Sequence, residues 1–119
     1  MICDFGDVVV VPFPFVDMVV SKRRPAVLLS NEAFNRSSGQ SICAMITTGA
    51  GSSWPSDIAI TDSAAAGLNH VSVIRWKVFT LPNDLILRRA GRLGSIDFKT
   101  LAAAGLRYLQ PEQEAIEPE

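Results

Sequence analysis

One histidine and two cysteines occur in 119 residues, and their scarcity removes several chemistries at once. Cys3 and Cys43 have no metal-ligand spacing, and a lone imidazole adds little to a metal site, so neither a metal centre nor a cofactor is expected. Both thiols read as reduced and structural. No Gly-rich phosphate loop and no internal repeat interrupts the chain. No apolar run approaches the roughly 20 residues that span a bilayer. The opening MICDFGD lacks both the basic and the apolar region of a secretory signal, so a soluble, cytoplasmic protein is expected. Neither sign of charge dominates, with 11 Lys and Arg against 12 Asp and Glu. That balance falls short of the strongly basic domains that bind nucleic acid over a whole surface, and leaves room only for a local patch.

What is present describes a globular chain. Hydrophobic residues make up 48% and charged ones 19%, outside the regime of disorder, and the length suits one core. Charge is unevenly placed. The stretch 111–119 holds four Glu and no cation, which leaves eight acidic residues against eleven basic ones in 1–110. The expected organisation is a single domain over 1–110 and an acidic, flexible tail over 111–119.

Short apolar runs separated by turn formers predict five or six strands. GDVVVVPFPF holds Val8–Val11 without polar relief, as a strand buried on both faces or at a barrel corner requires, with Pro12 and Pro14 ending regular pairing. PAVLLS predicts a second strand with Pro25 as its first residue. NEAFNRSSGQ reads as a turn, SICAMIT as a third strand and TGAGSSWPS as a mobile loop. DIAIT, VSVIRWKVFTL and LILRRAGRLG supply the remaining strands, with DSAAAGLNH as a connector. Only GSIDFKTLAAAGLRYLQ looks helical: Ser95 is placed to cap it, Asp97 falls in the first turn, and Phe98, Leu101, Gly105 and Tyr108 recur at helical spacing. The fold class expected is mainly β with a C-terminal helix, a small and strongly bent sheet or barrel.

The stretch SKRRPAVLLS gathers Lys22, Arg23 and Arg24 at the mouth of a buried strand. A solvated turn that protects a sheet edge would account for it. So would a phosphate site, because guanidinium offers a planar fork of donors that matches phosphate oxygens.

GDVVVVPFPFVDMVVSKRRPAVLLSN, then AMITT, SVIR and GRLGSIDF ahead of a helix, resembles the PemK/MazF family of toxins from type II toxin-antitoxin systems. The resemblance implies an SH3-like barrel, a homodimer, metal-independent endoribonuclease cleavage of single-stranded RNA, and inhibition by a cognate antitoxin. It also implies site residues. Arg24 matches the family's Arg before Pro, and Thr47 its active-site Thr after the third apolar strand. Arg75 matches an Arg used in another branch, where an Asp follows two residues later; this chain has Lys77 instead. Expected catalytic residues are therefore Arg24, Thr47 and Arg75, with Lys22, Arg23, Trp54 and Lys77 as RNA-binding residues.

Residue chemistry supports these roles unequally. Arg24 suits phosphate stabilisation better than proton transfer, because a guanidinium has no lone pair to accept a proton. Thr47 suits a hydrogen bond to the same phosphate or a local backbone bond at a strand end. Arg75 and Lys77, two apart on a strand, are expected on one face. Trp54 suits stacking on an unpaired base or capping the core, and Trp76 the core or a dimer interface. His70 is a candidate general acid or base, and Asp17 a group that orients the loop cations or serves a turn. A non-enzymatic barrel that binds its target, as gyrase-poisoning toxins do, remains the alternative.

Overall fold

Val8, Val9 and Val11 are all fully buried, but on opposite sides of one sheet, which is why the run around them carries no polar relief. A computed structural model describes residues 1–13 and 22–112; Asp17 and the tail from residue 113 onward lie outside the described residues. The strands are β1 (Asp7–Phe13), β2 (Lys22–Leu28), β3 (Gln40–Thr47), β4 (Ile58–Ala59), β5 (Val73–Pro82) and β6 (Arg88–Arg92). Two helices, α1 (Glu32–Ser38) and α2 (Ser95–Leu109), complete the regular structure, with a single 3₁₀ turn at Asn83–Leu85. The sheet runs β4-β5-β3-β2-β1-β6, antiparallel throughout. Its edge strands β4 and β6 do not pair with one another among the described residues, so the sheet is a curled half-barrel.

Two apolar clusters occupy the two faces. One gathers Val8, Val27, Ala44, Ile46, Ile74 and Leu93 against Leu101 of α2. The other gathers Val9, Val11, Ala26, Leu28, Cys43 and Leu81 with Cys3 and Ile86. Strands β1, β2 and β3 divide their side chains between the two by alternation. Both thiols are buried in the second cluster. Burial, and then the neighbouring Cys3, push Cys43 up to about 12, which fits a packing role.

Several details differ from the sequence expectations. Strand β1 continues through Pro12 and Phe13, paired with Arg23 and Lys22, and Pro25 is the fourth residue of β2 rather than its first. Pro12 and Pro25 occupy β1–β2 pairs two apart, so alternation lets both rings sit where an N–H would point out of this ladder. On those outer sides β6 has already ended at Val10, and β3 has not begun before Ala26. The stretch read as a turn contains α1, capped by Asn31, whose side chain accepts from Phe34 N, and closed by Gly39 at φ 74°. The N-cap of α2 is Gly94, and Ser95 is the first helical residue. Finally, the β3–β5 register slips so that Ala44 pairs with Val78 but Met45 with Arg75, which leaves Trp76 and Lys77 outside the ladder. Ile74 and Trp76 on either side of Arg75 both pack on the first cluster, so the two-residue slip keeps the alternation of β5.

Buried polar side chains tie the layers together. Under α1, Asn35 donates to Cys3 O at 2.9 Å and Asn83 donates to Asn35 O at 2.7 Å. Ser30 donates to the Asn35 side chain. Asp97 accepts from Thr61 N and Asp62 N, at 2.9 and 3.0 Å, so it fixes α2 to the segment after β4 in addition to any dipole effect. Asp7, 2% exposed, is held by Arg92 at 2.8 Å and Arg89 at 3.8 Å.

Candidate active site

The register of β2 and β3 brings the site together. Paired residues run Leu28–Cys43, Val27–Ala44 and Ala26–Met45. Continuing by two steps sets Arg24 alongside Thr47 where the strands part. A cleft of about 420 Å³ opens at that point, lined by Arg23, Arg24, Thr47, His70, Arg88 and Asn69 among others. On the far side of β1, Val10 pairs with both Pro25 and Arg88, which carries Arg88 to the same wall.

The cleft is cationic. Arg23, Arg24 and Arg88 engage no carboxylate among the described residues, and no Asp or Glu of those residues lines it. The three arginines of RRAGR divide cleanly: Arg89 and Arg92 neutralise buried Asp7, and Arg88 is left to the cleft. The Thr47 hydroxyl accepts from Gly49 N–H at 3.2 Å. Its own proton is thereby left for an acceptor in the cleft, so local turn geometry and ligand donation coexist.

The connection from β4 to β5 reaches the cleft through glycine. Gly67 has φ 71°, and a Cβ there would stand 2.1 Å from Ala90 O. A Cβ on Gly91 would stand 2.4 Å from Ala65 O, and Arg92 N donates to Ala65 O at 3.0 Å. Backbone therefore packs directly on backbone. That contact carries Leu68, Asn69 and His70 to the cleft rim, and Ser72 Oγ donates to His70 O at 2.9 Å just beyond.

The remaining sequence candidates lie elsewhere. Arg75 grips Asp57 with two bonds, Nε to Oδ1 at 3.1 Å and a second nitrogen to Oδ2 at 2.8 Å. It also donates to Ser52 Oγ at 3.1 Å and stacks on Trp54 with its guanidinium 5.1 Å from the ring centroid. Trp54 N donates to the same Asp57 carboxylate at 3.0 Å. Hydrogen bonds from Arg75 and from the Trp54 backbone hold that carboxyl below its ordinary 3.8. Lys77 is directed to a different aromatic, 5.8 Å from the Phe13 ring. Lys22 is exposed at the start of β2 and does not line the cleft. Trp76 packs on the first cluster and edge-on to Tyr108 at 5.2 Å.

Arg88 carries no mark of its own in the sequence, where it stands within an ordinary strand pattern. The arginine cluster RRAGR was the available signal, but only pairing with β1 shows which of the three faces outward. Asn69 had no sequence signal at all.

Fold and cleft together define a small curled-sheet protein with an arginine-lined cleft where β2 and β3 part. The family model for PemK-like, MazF-like toxins of type II toxin-antitoxin systems matches residues 4–107, and the chain belongs to that family. Solved structures agree on the fold. MazE–MazF from Deinococcus radiodurans superposes with a TM-score of 0.72 at 18% identity, covering 93% of this chain and 100% of that one. The Mycobacterium tuberculosis toxin MazF-mt6 gives 0.69 at 22% identity, over 89% and 99%. An endoribonuclease in complex with its cognate antitoxin, from a mycobacterial species, gives 0.68 at 18% identity, over 93% and 97%. No curated protein matches the sequence.

Proposed function

We propose that this toxin is an endoribonuclease that cleaves single-stranded RNA without a metal ion. The 2′-hydroxyl attacks the adjacent phosphorus and the 5′-oxygen leaves, giving a 2′,3′-cyclic phosphate and a 5′-hydroxyl. The observation that carries this reading is one cleft that unites Arg24, Thr47, Arg23 and Arg88 with no opposing carboxylate among the described residues. Such a site binds a phosphodiester and stabilises the added negative charge of the phosphorane, commonly the largest contribution to catalysis of this kind. Relatives of the same fold that are named endoribonucleases support it.

Arg24 clamps the reacting phosphate through its guanidinium fork and Thr47 donates to a phosphate oxygen. Lys22, Arg23 and Arg88 draw the flanking backbone in. Arg75 acts at one remove, by holding the loop between β3 and β4 through Asp57 and Ser52. That loop presents Trp54, 41% exposed, for stacking on an unpaired base, while Lys77 extends the positive surface. The toxin works in the cytoplasm as a homodimer and is silenced by a cognate antitoxin, as the complexes of its relatives suggest.

Incubation of purified protein with mixed-sequence RNA in EDTA tests the reading. Cleavage with cyclic-phosphate ends is expected. Cleavage that requires added Mg²⁺ would remove the mechanism, and RNA bound but left intact would return the protein to a non-enzymatic binder.

A further inference from the structure

RNA cleavage by 2′-hydroxyl attack needs a proton acceptor, and the cleft supplies little choice. Among the described residues, the charged groups that line it are Arg23 and Arg24 from β2 and Arg88 from β6. Guanidinium stays protonated in proteins and has no lone pair to offer. Thr47 and Thr48 from the end of β3, and Asn69 and Ser72 from the β4–β5 connection, do not titrate near neutrality. Arg75, the other sequence candidate, is engaged by Asp57 outside the cleft. Among the described residues that line the cleft, His70 is left as the one side chain that carries a ring-nitrogen lone pair for a proton.

Its placement is built, not incidental. Two glycines let the β4–β5 connection lie backbone-on-backbone against β6, the strand that delivers Arg88. Leu68 N donates to Ser63 O at 2.9 Å, and Ser72 Oγ holds His70 O at the same distance. The imidazole is exposed, as a group that must reach substrate and exchange its proton with water should be.

We propose that His70 is the general base of RNA cleavage, an assignment that rests on the endoribonuclease reading. Neutral imidazole takes the proton of the 2′-hydroxyl as its oxygen bonds to phosphorus. The P–O5′ bond breaks, solvent water gives a proton to the departing 5′-oxygen, and His70 returns its own proton to solvent. Arg24 and Thr47 hold the phosphate throughout.

The test is the pH dependence of the saturated cleavage rate in EDTA for the wild type, His70→Ala and His70→Gln. The wild-type rate should rise as imidazole deprotonates. Both variants should lose that limb and about 10²–10⁴-fold in rate. RNA affinity and its salt dependence should be retained, and added free imidazole should restore part of the His70→Ala rate. The defect should also persist on RNA with a bridging 5′-sulfur, whose departure needs no proton. Restoration on that substrate would make His70 the acid and overturn the assignment, as would an unchanged pH limb in the variants. A wild type that cleaves while both variants match it removes His70 alone. A wild type that cleaves nothing removes the endoribonuclease reading and this assignment with it.

Discussion

Arg24 and its two neighbours look alike in sequence, yet their positions separate their tasks. Arg24 lines the cleft where β2 parts from β3 at Thr47, Arg23 lines it one residue earlier, and Lys22 does not line it. Arg24→Ala should lower the saturated cleavage rate by roughly 10²–10³, the loss typical of one oxyanion-type donor. Arg24→Lys should not recover it, because the bidentate fork is gone. Lys22→Ala and Arg23→Ala should instead weaken RNA binding and flatten its salt dependence, each removing a counterion-releasing contact. Binding curves at several salt concentrations, beside single-turnover rates, distinguish the two patterns; the same binding-only defect in all three variants would demote Arg24 to a surface charge. Arg75 poses a different test. The Asp57 carboxyl is held below its ordinary 3.8 in the folded protein, so its contribution is complete above that value and is lost as pH falls through the lower folded one. Trp54, stacked on Arg75, reports the change: its emission should shift only in strong acid, and Asp57→Asn should show the acid-type emission already at pH 7. Identical emission in the two proteins would mean that the loop is held by other contacts.

At the level of the element, the long apolar strands and α2 were legible because burial writes itself as periodicity. Val8, Val9, Val11 and Leu101 are buried as their spacing demands, whereas Tyr108 of the expected helical stripe is 43% exposed. Helix α1 was not, since only buried Asn35 marks its inner face and that residue is polar. Its signals were Asn31 and Gly39, an N-cap and a left-handed end enclosing a polar stretch with no apolar stripe. The bulge at Trp76 and Lys77 was equally hidden, because it depends on how β5 pairs rather than on what β5 contains. The candidate site divides in the same way. Arg24 and Thr47 were found from family motifs, whereas Arg88 and Asn69 reach the cleft only through tertiary packing. Two glycines separate these causes experimentally. Gly39 has φ 74° and nothing within 4 Å of a built Cβ, so Gly39→Ala should cost about 1 kcal/mol of conformational strain. Gly67 adds to a similar φ a Cβ 2.1 Å from Ala90 O, so Gly67→Ala should cost roughly 3 kcal/mol and displace the connection that carries His70. Urea titrations of the two variants check the order; equal costs would show that the β4–β5 connection yields freely.

For the whole molecule, α2 leaves apolar surface uncovered. Ile96, Leu106 and Leu109 are 69%, 68% and 76% exposed, and an apolar groove of about 640 Å³ runs along the helix between Phe5, Leu29, Phe98 and Leu106. A chain of this size that folds its second helix in this way is expected to pair with a second copy. Sedimentation should show a dimer at micromolar concentration, and Leu106→Asp should shift it toward monomer if that face is the contact.

The cationic end makes a second demand on a partner. Arg23, Arg24 and Arg88 crowd one cleft without a carboxylate among the described residues to offset them, an arrangement that favours any polyanion of suitable shape. RNA is one. A disordered antitoxin segment rich in Asp and Glu is another, and it would fold as its carboxylates take the places of phosphates. The two ligands should therefore exclude each other, and Arg88→Ala should weaken both without touching the Arg24–Thr47 pair. Fluorescently labelled non-cleavable RNA, titrated with antitoxin at fixed toxin concentration, should be displaced stoichiometrically, with a salt dependence that parallels RNA binding. An antitoxin that abolishes cleavage while the labelled RNA stays bound would act from another surface, for which the exposed face of α2 is the first to probe.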